Sequence, residues 1–182
     1  MAQAATLTVP VDGNLQAALE AAQPGDTIVL EAGATFVGPI TLPAKTGDAF
    51  ITIESSRLAE LPGDGQRVAP EHAALMPKIV SPGGNQAALR TAAYAHHYRL
   101  RGIELMPKDA TVYVRELVQL GSGDVDQNTL ARVPHHLVLD RCYIHAWPEQ
   151  ELIRGVALNS AHTEIIGCYI ADFKSKGFDS QA

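Results

Sequence analysis

The 182-residue sequence predicts an all-β solenoid closed at its N-terminal end by one short helix. Three observations carry that expectation. A single stretch has a clean helical period, short strand-like runs dominate everything after it, and parts of the chain repeat one another at fixed offsets.

The helix comes first. Asp12 or Asn14 caps it, and Leu15, Ala18, Leu19 and Ala22 follow as an apolar stripe at i, i+3, i+4 and i+7. Pro24-Gly25 stops it, so the capping segment occupies about residues 12–25 and the coils about 26–182, all one domain. Strand-like runs follow at 27–30, 38–42, 50–54, 78–80, 98–105, 111–120, 137–144 and 165–170, with Gly, Pro, Asn or Asp in the gaps. So many short strands beside one helix exclude a doubly wound α/β fold.

Repetition separates a solenoid from a sandwich or barrel. The segment from His96-His97 to Leu105 matches that from His135-His136 to Ile144 at an offset of 39. Cys168-Tyr169-Ile170 repeats Cys142-Tyr143-Ile144 at 26, whereas His162 follows His135 by 27, a one-residue slip that a bulge would give. Stacked coils place like residues above one another at about 4.8 Å, so Cys142 is expected beneath Cys168 and Ile144 beneath Ile170.

This pattern resembles the right-handed parallel β-helix of the pectate-lyase-like superfamily. The opening, Leu15-Gln16-Ala17-Ala18-Leu19-Glu20-Ala21-Ala22-Gln23-Pro24-Gly25-Asp26-Thr27-Ile28-Val29-Leu30, is similar to that superfamily's N-terminal segment, where a helix closes the coil and a Pro-Gly-Asp turn enters the first strand. The resemblance covers most of the chain, with gaps at Ser55–Met76 and Pro107–Val133; at roughly 25–35 residues per coil, about five or six coils are expected. Whether those two segments wall a groove or cover the coil is open. No capping helix or polar repeat is visible before Ala182, so the chain reads as the N-terminal part of a longer β-helix. The alternative is a second copy covering the open end, which makes a homo-oligomer an expected partner.

Composition narrows the function. Lys+Arg number 14 against 20 Asp+Glu, a formal charge of −6, which argues against a nucleic-acid backbone as partner. With 46% hydrophobic and 19% charged residues, wholesale disorder is excluded, and no apolar run is long enough for a membrane-spanning helix. Two cysteines do not make a disulfide framework; Cys142 and Cys168 read as stacked core thiols. Ala2-Gln3-Ala4 fits the small-residue pattern at a signal-peptidase site, so a mature secreted or periplasmic protein is expected, against a cytosolic one with an Ala-rich start.

By analogy with the superfamily, the expected partner is a polysaccharide and the expected chemistry lyase-type cleavage of an acidic, uronate-containing polymer, with a non-catalytic carbohydrate-binding or self-assembling module as the alternative. A lyase needs a base beside the uronate and a cation to stabilise the developing charge. Lys174, Lys176, Arg141 and His145 are the candidates for those roles. Trp147, Arg154, Asn159, His162, Asp172 and Asp179 are candidates for holding the sugar; the alternative is that Trp147 packs its own segment onto the body and the Lys/Asp turn is merely solvated. The stretch from Arg154 to Ile170 is also similar to the active-site coil of polygalacturonase-type glycoside hydrolases, but Arg154-Gly155-Val156 stands where an acid is expected, which counts against that mechanism.

Two groups invite a metal. Asp124, Asp126 and Asn128 are spaced two apart, as in Ca²⁺ loops, although Thr129 and His135 stand where Gly and Glu belong; Ca²⁺ is the one cofactor suggested there. The doublets His96-His97 and His135-His136 suggest zinc, yet their recurrence at equivalent points makes stacking at a corner the simpler account.

Overall fold

The computed structural model describes residues 3–177 and is a right-handed parallel β-helix. A strand that the sequence did not announce, β1 (Thr6–Val9), comes first. The helix α1 follows at Leu15–Ala21, with the Asn14 side chain accepting from the Ala17 N–H at 2.9 Å. Coil 1 then contains β2 (Thr27–Leu30), β3 (Thr35–Val37) and β4 (Ile40–Leu42). Coil 2 contains β5 (Ile51–Ser55), β6 (Lys78–Ser81) and β7 (Leu89–Thr91). Coil 3 has β8 (His96–Arg101), β9 (Glu104–Pro107) and β10 (Val114–Gly121). Coil 4 has β11 (His135–Asp140), β12 (Tyr143–His145) and β13 (Leu152–Asn159). A fifth coil begins with β14 (Ala161–Ile166) and β15 (Tyr169–Ala171). The described residues thus hold four full coils and part of a fifth.

Every ladder is parallel. Sheet 1 runs β1-β2-β5-β8-β11-β14, sheet 2 β3-β6-β9-β12-β15 and sheet 3 β4-β7-β10-β13. The core is built from columns: Ile28, Ile53, Leu100, Leu139 and Ile165 on sheet 1, and Phe36, Ile79, Leu105, Ile144 and Ile170 on sheet 2. Ile40, Leu89, Val118 and Val156 form the third column, on sheet 3. Burying one such Leu or Ile contributes about 1.5–3 kcal/mol, which is why the repeat is written in aliphatic residues. On the last described coil the sheet 1 column meets solvent, and Ile165 is 37% exposed.

The lower end is closed by side chains as well as by packing. Leu15, Leu19 and Ala22 of α1 are buried against the first coil. Gln16 accepts from the Thr41 N–H at 2.9 Å and donates to the Thr41 carbonyl at 3.1 Å, so its amide substitutes for the missing rung beneath β4. Asp26 accepts from the Ala5 and Gln23 N–H groups, each at 2.8 Å, which accounts for the acid after Pro24-Gly25.

Three runs that read as single strands are bent pairs. Gly102, Arg141 and Gly167 break them with left-handed φ of 63°, 51° and 59°, one above another at the corner between sheets 1 and 2. The expected one-residue slip is absent. His135 pairs with Ala161 and Tyr143 with Tyr169, so the offset is 26 throughout, and His162 stacks on His136 rather than His135.

The segment 56–77 covers this corner. Its 3-10 turns, Leu58–Glu60 and Pro70–Leu75, flank a run that climbs the coil axis. A Cβ on Gly102 would lie 2.5 Å from Leu61, Pro62 O accepts from Arg141 at 2.9 Å, and the Val68 N–H donates to Gly167 O at 2.9 Å. Leu61, Val68 and Met76 are buried together with Tyr143.

Candidate functional site

A recess lies on the outer face of sheet 3. It is an open groove of about 880 Å³, floored by β10 and β13 and lined by Arg115, Glu116, Gln119, Arg154 and Asn159 with Asn85 and Asp124 on its walls. The strands put these polar residues outward because their neighbours are needed inside: Val118 and Leu120 are buried on either side of Gln119. Alternation is interrupted in β10, where the adjacent Leu117 and Val118 are both buried, and in β13, where Val156 and Ala157 are. Glu116 and Arg154 are register partners, and their side chains meet at 2.6 Å.

Turns fix the walls. Asn85, at φ 62°, accepts from the Arg115 N–H at 3.1 Å. On the other side, Gln127 accepts from the Ser122 N–H at 2.9 Å and donates to Asn159 O at 2.6 Å, tying the 122–129 loop to β13. Asp124 accepts from Ser122 Oγ at 2.9 Å. Asp126 contributes its carbonyl to Arg132, and Asn128 is exposed. Among the described residues no set of three His, Cys or carboxylate ligands converges at this loop.

Of the expected sugar-holding residues, Arg154 and Asn159 share this groove, and Asp124, expected as a metal ligand, lines it with them. Lys174 borders it: its carbonyl accepts from the Leu152 N–H at 2.8 Å, so its turn lies one rung above the start of β13. Its ammonium is 3.5 Å from Glu149. Lys176 and Asp172 are exposed on the same turn, and Asp179 lies outside the described residues.

The others are elsewhere. Arg141 is buried at the corner of sheets 1 and 2, forked onto Asp140 at 2.9 and 3.0 Å and bound to Asp64 at 2.8 Å. His145 is buried on sheet 2, with Nδ1 2.9 Å from Ala146 O, Nε2 2.9 Å from Glu104 and its ring stacked on Tyr143 at 3.9 Å. Lys78 pairs with the same Glu104. Burial alone would raise the Glu104 carboxyl, but the hydrogen bonds from His145 and Lys78 prevail and hold it below the usual range. Trp147 donates to Pro107 O at 3.1 Å, packing its turn onto the coil below. His162 belongs to a stack of histidines at the corner between sheets 3 and 1.

Arg115, Glu116, Gln119 and Asn85 were not singled out from the sequence. The available signal was the repeat itself: carrying an offset of about one coil from Arg154 leads to Glu116, its register partner.

No protein-family model matches the chain, and no curated protein does. Among solved structures, the chain is similar to the crystal structure of an alginate lyase from Paenibacillus sp. str. FPU-7, with a TM-score of 0.61 and 20% identity. The match covers 90% of this chain and 44% of that one, so the chain spans less than half the length of that enzyme. A likeness at this identity shows the fold.

Proposed function

We propose that this chain is part of a secreted, polysaccharide-active β-helix protein and that the sheet 3 groove holds an acidic, uronate-containing polymer for lyase-type cleavage. The supporting observation is the pairing of two guanidinium groups, Arg115 and Arg154, with the amides of Asn85, Gln119 and Asn159 along one open groove. Guanidinium matches a sugar carboxylate through paired N–H donors, and amides serve the hydroxyls. The alginate lyase of the same fold adds weight to the polymer class.

Among the described residues no Lys, His or Tyr lines the groove, so this reading takes its base from a neighbouring turn. In this reading Lys174 or Lys176, on the turn one rung above the start of β13, removes the proton next to the carboxylate while an arginine stabilises the charge that forms. A lining that offers binding groups but, among the described residues, no Lys, His or Tyr also favours the second reading, a module that binds without turning over.

The test combines affinity electrophoresis on alginate and pectate with the ultraviolet absorbance of unsaturated products. Binding that falls about tenfold in Arg115→Ala supports the groove, the loss expected for one charged hydrogen bond. Product formation abolished by Lys174→Ala or Lys176→Ala supports the lyase. Binding without product favours the module, and absence of binding to any acidic polymer overturns both.

A further inference from the structure

Five imidazoles are stacked at the corner between sheets 3 and 1, away from the groove. His96 lies over His135 with centroids 5.0 Å apart and planes 4° apart, and His97 over His136 at 4.6 Å and 4°. His162 continues the second column at 4.9 Å and 26°. Adjacent residues of a strand point to opposite faces, yet both rings of each doublet emerge on one side. The reason is backbone: His97, His136 and His162 have left-handed φ of 56°, 52° and 49°, which turns the second ring back beside the first.

That turn brings Nδ1 atoms together. They are 2.8 Å apart in His96-His97 and 2.6 Å apart in His135-His136, so a single hydrogen lies between each pair and one lone pair of each doublet points inward. Across the two coils, His97, His135 and His136 each offer a ring nitrogen, all within 4.8 Å of one another. None of the rings is buried.

We propose that this corner binds a divalent transition-metal ion through ring nitrogens of His97, His135 and His136. Three imidazoles without thiolate or carboxylate suit Zn²⁺, Cu²⁺ or Ni²⁺ rather than Ca²⁺ or Mg²⁺, and a surface position leaves the fourth site to water. Zinc–nitrogen bonds of about 2.0–2.1 Å require the rings to close on the ion, which side-chain rotation supplies. The hydrogen between two Nδ1 atoms moves to Nε2 of its own ring as the metal takes its place, so each ligand stays a neutral imidazole.

The test is calorimetric titration of the tag-free, chelator-treated chain with ZnCl₂. A single Zn²⁺ per chain is expected. The double variant His97→Asn/His136→Asn should bind at least about tenfold more weakly, since even losing a partner of a ligand costs that much. Asn tolerates the left-handed backbone, and should that variant fail to fold by circular dichroism, His135→Gln gives the same readout with the turns intact. His162→Asn, outside the triad, should retain wild-type affinity. X-ray absorption of the loaded protein should show imidazole scattering and no sulfur. Absence of zinc binding, equal affinity in the double variant, or an equal loss in His162→Asn overturns the proposal and leaves a stack that serves packing alone.

Discussion

Gly121 lies so close beneath Asn159 that a Cβ placed on it would be 2.0 Å from the Asn159 carbonyl oxygen. Its φ of 83° is also one that L side chains avoid. Gly121→Ala should therefore cost about 3 kcal/mol or more, combining a clash with a forbidden conformation. Gly33 has a similar φ, 81°, but open space around its Cβ position, and Gly33→Ala should cost only about 1–2 kcal/mol. Urea melts of the two variants compare clash plus strain with strain alone.

Arg141 occupies a left-handed position between two glycines of its column, where its guanidinium reaches Asp140, Asp64 and Pro62 O. Arg141→Gly should relieve about 1 kcal/mol of backbone strain and yet release the 56–77 segment. Limited proteolysis followed by mass spectrometry should show new cuts within residues 62–68, absent from the wild type. A cleavage map identical to the wild type would mean that Leu61 and Val68 hold the segment without the arginine.

Acid should unfold the protein through two carboxylates. Glu104 and Asp140 are both held below the ordinary carboxylate range: burial opposes this, but hydrogen bonds from His145 and Lys78 to the first, and from Arg141 and Arg101 to the second, prevail. A depressed folded value means stability fully present above the unfolded value of about 4 and lost as the pH falls through the folded value. Glu104→Gln should lower stability at neutral pH by about 2 kcal/mol and flatten the acid limb of the Tm profile. A Tm curve with the wild-type acid slope would place the titrating group elsewhere.

The two thiols should react in order. Cys142 is fully buried, and burial pushes its thiol up; Cys168 is half-buried and held down by hydrogen bonds from Cys142, whose N–H is 3.3 Å from its sulfur. Iodoacetamide with peptide mapping should label Cys168 in the native state and Cys142 only after denaturant is added. Simultaneous labelling would mean that the coil opens locally at its fourth rung.

The columns were legible because periodicity is written in identities: Cys142 below Cys168, and Ile144 below Ile170. What the sequence hid were the corners. Leu137–Ile144 looks like an unbroken strand because its left-handed Arg141 carries no signal comparable to the glycines below and above it, Gly102 and Gly167, and the lone Gly102 inside Tyr98–Leu105 is flanked by strand-forming residues on both sides. β1, β3 and β7 are three or four residues long and half polar on their outer faces, too short for alternation to stand out.

The groove was half legible. Arg154, Asn159 and Asp124 were marked because each lies in an unusual local pattern, whereas Gln119 and Glu116 look like ordinary outward strand residues until register puts them beside the first three. Arg141 and His145 were marked by charge near an insertion. Chain proximity says nothing about which of three faces a residue joins, and a corner separates both from β13.

A stack of rungs ordinarily communicates only with its immediate neighbours, and such arrays can fray from an end one unit at a time. The 56–77 segment changes that. It leaves coil 2 and bonds to Arg141 in coil 4 and to Gly167 and Cys168 in coil 5, so the outermost described rung is mechanically braced to one near the base. Hydrogen exchange along β14 and β15 should then track that of β5 and β6, with the array melting as a single cooperative block in place of a zipper.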